Sequence, residues 1–250
     1  MSNLTVVILT YNESSKIENC ILSAAFADEV IVVDSGSTDG TVEIAKKLGA
    51  KVFSNKMIAG FATQRNYALN KVKTEWVLYL DADEVISEKL AIEIRKVVSL
   101  NYRCAYRLRR INIVFNKKMQ YGEMAPDFVL RLMRVDSGLW EGIVHEKFNT
   151  NDIIKKLNNE ILHYTYTSWE QYFDKFNKYT SLMAKRMKDE GKKTRAFDIV
   201  LRPFFSFIRA YILKCGFKDG KLGFIFAILN SVYTFTKYTK LYYIKDNNNG

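Results

Sequence analysis

With 250 residues, nearly half of them apolar and only two of them proline, the chain can bury a sizeable core but has no room or linker for a string of domains. Its three cysteines, Cys20, Cys104 and Cys215, are scattered and odd in number, which excludes a disulfide framework and a clustered zinc site and fits a reducing compartment. The net charge of +11 is concentrated: residues 185–245 hold 14 Lys/Arg against four Asp/Glu, and because that stretch is also rich in Phe, Tyr, Leu and Ile it points to an anionic membrane surface rather than to nucleic acid.

The N-terminus, a polar pair followed by the short apolar run Leu4–Leu9, lacks the basic and hydrophobic regions of a signal peptide. That run, rich in β-branched residues and bounded by polar ones, predicts a buried strand. A helix over Lys16–Ala25 follows, then a second buried strand at Glu29–Val33. Thr41–Leu48 reads as a helix closed by Gly49, and Lys51–Phe53 as a short strand. Next come a helix at Thr63–Lys71, a strand at Glu75–Leu80 and an amphipathic helix at Glu88–Leu100. Such alternation predicts an α/β fold, a mostly parallel sheet with helices on both faces. Ligands bind such sheets beyond the carboxyl ends of the strands. Those ends carry Thr10-Tyr11-Asn12-Glu13, then Asp34 to Gly40, then Asp81-Ala82-Asp83-Glu84, polar and acidic groups that converge on one site.

In Asp81-Ala82-Asp83, two carboxylates flank a small residue at a strand end, oxygen chemistry that suits Mg²⁺ or Mn²⁺ shared with substrate phosphates. One carboxylate can take the metal while the other holds a sugar or ribose hydroxyl. Asp34, directly after a buried strand, is placed to accept hydrogen bonds from a base or ribose. Asp39 is as well suited to cap the next helix as to touch ligand. Tyr11 offers a face for stacking on a nucleobase, and Glu13 an acceptor for a ribose hydroxyl. Arg65, in Gln64-Arg65-Asn66, can neutralise a phosphate or hold an aspartate.

In the order TYNE, VDSGSTDGT, QRNYAL and LDADE, these motifs resemble the family-two glycosyltransferases. With the later RLMR and WEGIVHE segments, the chain resembles the lipopolysaccharide-core glucosyltransferase branch of that family. The resemblance implies a GT-A (Rossmann-like) fold, a UDP-sugar donor and inversion at the transferred sugar. It implies uracil and ribose near Thr10, Tyr11, Glu13, Asp34 and Arg65, with Asp81 on the donor sugar or ribose and Asp83 on a Mg²⁺ or Mn²⁺ ion.

An inverting transfer needs a carboxylate within reach of the acceptor hydroxyl. Glu123, Asp127, Glu141 and Glu146 follow the metal motif. Glu141 is the first choice, since Gly142 beside it allows close approach of substrate, and Glu146 the second. His145 either completes the metal shell or is structural, and Trp140 either stacks on a sugar or packs in the core. Arg131 and Arg134 share the strand Asp127–Arg134, and their odd spacing sends them to opposite faces, so at most one reaches the site.

Beyond residue 150 the chain reads as helical. Residues 1–150 are expected to form the nucleotide-sugar-binding and catalytic domain, and 151–250 a basic helical region at a membrane surface. Ser168–Lys188 has apolar residues at helical spacing. Phe197–Leu213 is dense in Phe and Ile but interrupted by charges and Pro203, and Leu222–Phe235 is only 14 residues long, short of the ~20 a spanning helix needs. Interfacial helices with Lys/Arg at headgroup level are therefore expected, on an enzyme peripheral to the inner face of the cytoplasmic membrane. The acceptor expected is a glycan or glycolipid. A nucleotidyltransferase would want a glycine-rich phosphate loop after the first strand, which TYNESSK lacks. A non-catalytic membrane-surface protein fits the C-terminal region but not the clustered carboxylates, which are costly without a cation.

Overall fold

The computed structural model describes residues 3–56, 60–142 and 146–244. The chain forms two compact units, Met1–Ile111 with Asp127–His163, and Asn112–Pro126 with Tyr164–Gly250. The boundary expected at residue 150 is thus replaced by one at 163/164, and a segment from the middle of the chain joins the second unit.

The first unit begins as the hydrophobic pattern requires. Strand β1 (Leu4–Thr10) is buried at every residue, and β2 (Glu29–Asp34), β3 (Lys51–Ser54) and β4 (Trp76–Asp81) lie beside it in the order β3-β2-β1-β4. All of these pairings are parallel. Helices α1 (Ile17–Ser23), α2 (Thr41–Lys47) and α3 (Phe61–Leu69) connect them. Both faces of β1 are covered: Leu4, Val6 and Ile8 join one apolar cluster while Val7 and Leu9 join another. This two-sided burial is why the strand reads as an unbroken apolar run rather than an alternating one. Gly49 takes a φ of +82° just past α2, the left-handed turn that lets the chain leave the helix.

From β4 the sheet changes character. A two-residue turn, Ala82-Asp83, leads into β5 (Glu84–Ile86), and α4 (Glu88–Leu100) follows, with Ser87 Oγ accepting from Leu90 N. Strands β6 (Cys104–Val114), β8 (Asp127–Arg134) and β11 (Ile153–Tyr166) complete the order β4-β8-β6-β11-β5. The pairs β4–β8, β6–β8 and β5–β11 are antiparallel, so the sheet is mixed, parallel through β3-β2-β1-β4 and antiparallel at these pairs. Strands β9 (Gly138–Glu141) and β10 (Lys147–Thr150) form a separate antiparallel ribbon.

In the second unit the short strand β7 (Lys117–Lys118) pairs with the end of β6. The unit is otherwise built on α5 (Trp169–Asp189), α6 (Ala196–Ile208) and α7 (Gly220–Tyr243). Val114, Met119, Tyr172 and Phe226 form one apolar centre, and Ala184, Met187 and Leu241 another. Gly223 allows the backbone to close, since a Cβ there would stand 1.9 Å from the Gly216 carbonyl oxygen. Pro203 lies inside α6, which passes into a π turn at Arg209–Leu213. Among the described residues, no helix is long and apolar enough to cross a membrane.

Candidate active site

The loops after β1 and β2 are fastened to each other. Asn12, in the left-handed region at φ +52°, accepts from Thr38 N through Oδ1 (2.8 Å), while its own amide donates to Ser37 Oγ (2.8 Å). Glu13 N donates to Thr41 Oγ1, and Ser14 N to Asp39 Oδ2, both at 3.0 Å. Asp39 also accepts from Thr41 N and Thr41 Oγ1, so it satisfies the first amide of α2 from one residue before the N-cap, Gly40. Although desolvation opposes ionisation, the hydrogen bonds from Thr41 and Ser14 hold the Asp39 carboxyl at about 2. Asp34 is buried, and its carboxylate accepts from the amides of Gly36 (2.9 Å) and Ser37 (3.0 Å) and from Ser37 Oγ. Its first task is therefore to shape its own loop. Gly36, at φ +103°, supplies the backbone angle that lets the loop fold back on Asp34. On the rim of this framework Tyr11 is 58% exposed, Glu13 is within 3.3 Å of Lys16, and the buried Thr10 Oγ1 has no partner among the described residues.

Asp81 and Asp83 occupy the turn between β4 and β5, where charge is densely paired. Arg131, buried on β8, donates to Asp81 Oδ2 (2.5 Å) and to Glu84 Oε1 (2.9 Å). Arg134, three residues on, instead meets Asp136 and Asn101, as the odd spacing on a strand demands. Burial disfavours the Asp81 charge, but Arg131 and Arg65 outweigh it and hold the carboxyl at about 2. Glu84 is fully buried; burial pushes its carboxyl up against the pull of Arg131. Arg110 bridges Glu84 (3.5 Å) and Asp127 (2.7 Å).

Each residue of Gln64-Arg65-Asn66 has a different task. Gln64 is buried and donates to Ser35 Oγ (2.9 Å) and the Asn55 carbonyl (2.6 Å), tying α3 to the loop after β2. Arg65, also buried, reaches Asp81 (3.6 Å), pairs with Glu146 and lies 4.6 Å above the Trp140 ring. Asn66 clamps the Trp140 backbone, donating to its carbonyl (2.8 Å) and accepting from its amide (2.9 Å). Trp140 itself is buried, edge-on to Tyr79 at 5.6 Å, so packing accounts for it.

The two carboxylates considered as base are placed differently. Glu146 is joined to Arg65 and through it to Asp81. Glu141 is exposed on β9, where its carboxylate accepts from Asn149 (3.1 Å); among the described residues no contact links it to Asp81, Asp83 or Arg65. The first choice of base is therefore the one that the structure leaves outside the cluster. Strand alternation turns Trp140 inward and Glu141 outward.

The residue that sequence reasoning missed is His163. The antiparallel register of β11 on β5 sets His163 opposite Glu84 and brings its Nε2 to 3.3 Å from Asp83 Oδ2. Burial opposes the Asp83 charge, yet the His163 contact holds its carboxyl below the usual range. His145, the expected metal ligand, lies outside the described residues. Among those described, no cluster of three or more His, Cys, Asp and Glu groups could hold a metal. A carboxylate and an imidazole meeting at one point nevertheless suit a divalent cation whose other positions are filled by water and substrate phosphate. The only signal available was that the chain has just two histidines.

Residues 5–106 match the family described as "Glycosyl transferase family 2". A glycosyltransferase of Rickettsia prowazekii is 30% identical, covering 98% of this chain and 88% of its own length. One of Rickettsia conorii is 32% identical over 95% of this chain and 89% of its own. The lipopolysaccharide core biosynthesis glycosyltransferase LpsC of Rhizobium meliloti is 27% identical over 96% and 92%. Among solved structures, glucosyl-3-phosphoglycerate synthase from Mycobacterium tuberculosis superposes with a TM-score of 0.38 at 25% identity, covering 44% of each chain.

Proposed function

The chain belongs to glycosyl transferase family 2, and we propose that it moves a hexose, with inversion, from a UDP-sugar to a lipid-linked or lipopolysaccharide-core glycan. The observation that carries this reading is the joining of Asp83 to His163 and of Asp81 to Arg131 and Arg65 at the end of β4. The likeness to LpsC supports the class of acceptor.

In this reading Tyr11 stacks on uracil, and Thr10, Glu13 and Asp34 line the nucleoside. Asp81, kept ionised by two arginines, accepts a hydrogen bond from a ribose or sugar hydroxyl. Asp83 and His163 hold Mg²⁺ or Mn²⁺, which when bound offsets charge on the departing diphosphate. Glu146, fixed by Arg65, accepts the proton of the acceptor hydroxyl as its oxygen attacks the anomeric carbon and the bond to UDP breaks. Choosing Glu146 over Glu141 follows from the Arg65 contact. The basic, apolar helices of the second unit hold the enzyme at an anionic membrane surface, on the cytoplasmic side.

Calorimetry of UDP with Mn²⁺, and again with chelator, tests the donor half of this reading. Binding that requires metal and is lost in Asp83→Ala, with the fold intact by circular dichroism, is the expected result. Binding indifferent to metal would remove Asp83 from the metal. No binding under any condition would overturn the UDP donor.

A further inference from the structure

The second unit contains a cavity of about 200 Å³ that the donor chemistry does not use. Its walls come from two helices in the same rhythm. Tyr172, Phe176 and Tyr179 lie four and then three residues apart on α5, and Phe226, Asn230 and Tyr233 do the same on α7. That spacing sets three side chains in a row on one helical face. Tyr166, at the end of β11, is 5.0 Å from Tyr172 by ring centroids and stacks on Phe226 at 6.2 Å. Phe176 meets Tyr233 edge-on at 5.7 Å, and Tyr172 meets Phe226 at the same distance.

The polar groups of this cage are unspent. Tyr166, Tyr172, Tyr179 and Tyr233 line the cavity, and among the described residues no hydrogen bond engages their hydroxyls. Asn230 donates to Ser206 Oγ (2.7 Å), leaving its Oδ1 without a partner there. Burial pushes the phenols of Tyr166, Tyr172 and Tyr233 up, with the neighbouring tyrosines adding to the effect, so they stay protonated donors. Packing alone would be served by phenylalanine, whereas here four tyrosines put phenol groups beside the cavity, Tyr172 buried and Tyr179 half exposed.

We propose that this cavity is a saccharide subsite, binding one neutral pyranose ring of the acceptor. Aromatic faces cover the apolar C–H face of such a ring, and the phenols and Asn230 meet its hydroxyls. The size agrees: the cavity far exceeds the ~30 Å³ share of one water but falls below the ~300 Å³ at which drug-sized pockets begin. A cationic ligand fits less well, since Glu123 at the rim is paired with Lys214 (2.9 Å) and Lys175 and Lys237 already stand over the Tyr166 and Tyr233 rings. An acyl chain would leave the phenols unpaired. Calling the sugar an acceptor rests on the glycosyltransferase reading; its binding does not.

Ligand-observed saturation-transfer NMR on the full chain tests the subsite, with the methyl glycosides of glucose, galactose and mannose as probes and decanoate as the apolar competitor. At least one glycoside should bind wild type. Tyr166→Phe with Tyr172→Phe, which keeps both rings, should weaken it about tenfold, the loss of a hydrogen bond or two at roughly 1 kcal/mol each. Tyr233→Phe should weaken it as well, and Tyr243→Phe, outside the cavity, should not. Absence of glycoside binding, glycoside binding untouched by the Phe variants, or displacement of glycoside by decanoate would each overturn the proposal. A UDP titration of the same samples separates failure here from failure of the donor reading.

Discussion

Arg131 shows how the site combines stability with function. Its guanidinium is buried and serves two carboxylates, one of them fully buried, so removing it leaves both without their main partner. Breaking a buried pair of this kind costs about 3–5 kcal/mol. Arg131→Met should therefore lower the urea midpoint strongly, whereas Arg134→Met, at a half-exposed surface network, should move it little. Asp39 offers a different test. Its folded value of about 2 lies below the ~3.9 of an unfolded aspartate, so its contribution is complete above pH 4 and disappears as pH falls toward 2. The difference in urea midpoint between wild type and Asp39→Asn should be full at pH 6 and shrink between pH 4 and 2. A difference independent of pH would mean that the Asp39 charge is not what holds the loop. These residues could be picked out in the sequence because they lie next to an apolar run: Asp34, Asp39, Asp81 and Asp83 follow strands that composition alone defines. His163 could not, because its partner is 80 residues away and their meeting depends on the register of β11 on β5.

The same division holds for whole elements. Strands β1, β2 and β4 are readable because they are unbroken apolar runs buried along most of their length, and α4 because it carries a plain amphipathic stripe. Strands β6 and β11 (CAYRLRRINIV and IIKKLNNEILHYTY) interleave charges with apolar residues, and their exposed or half-buried arginines and exposed lysines break the pattern. Their place in the sheet comes from tertiary pairing, as does the ribbon of β9 and β10. Gly138 begins that ribbon, where a Cβ would stand 1.9 Å from the Asn149 carbonyl oxygen, and Asn66 holds it to α3. Asn66→Ala loses both bonds to Trp140 and should cost about 1–3 kcal/mol. If the ribbon and α3 together position Glu146, the variant should also lower kcat while leaving UDP affinity near wild type. Replacing the proposed base directly sharpens the comparison: Glu146→Gln should reduce kcat about 10²–10⁴-fold, and Glu141→Gln should change it little. The reverse ranking in a single-turnover assay would return the role of base to Glu141.

At the scale of the whole molecule the charge is as uneven as the chemistry. Asp81 and Glu84 of the first unit belong to an ion-paired network around β4 and β5, while residues 185–245 supply a net +10. Helix α6 there leaves Phe197, Val200, Leu201, Phe204 and Phe205 exposed, and Leu213 just after it is 74% exposed. Large apolar side chains open to solvent on one short helix, amid Lys and Arg, have the composition of an interfacial anchor. Two forces should then act together. Each basic residue near an anionic surface adds about 1 kcal/mol, screened by salt within a Debye length, and the aromatic side chains add burial that salt does not weaken. Cosedimentation with phosphatidylglycerol vesicles should thus fall as salt rises from 0.05 to 0.5 M without vanishing, both concentrations chosen so that the Debye length drops to a few ångströms, roughly 4 Å at the upper end. Phe204→Asp with Phe205→Asp should remove the salt-resistant part, while the UDP binding proposed for the other unit should stay unchanged. Equal binding to neutral and anionic vesicles would rule out the electrostatic half, and a salt response untouched by the double substitution would rule out α6 as the anchor.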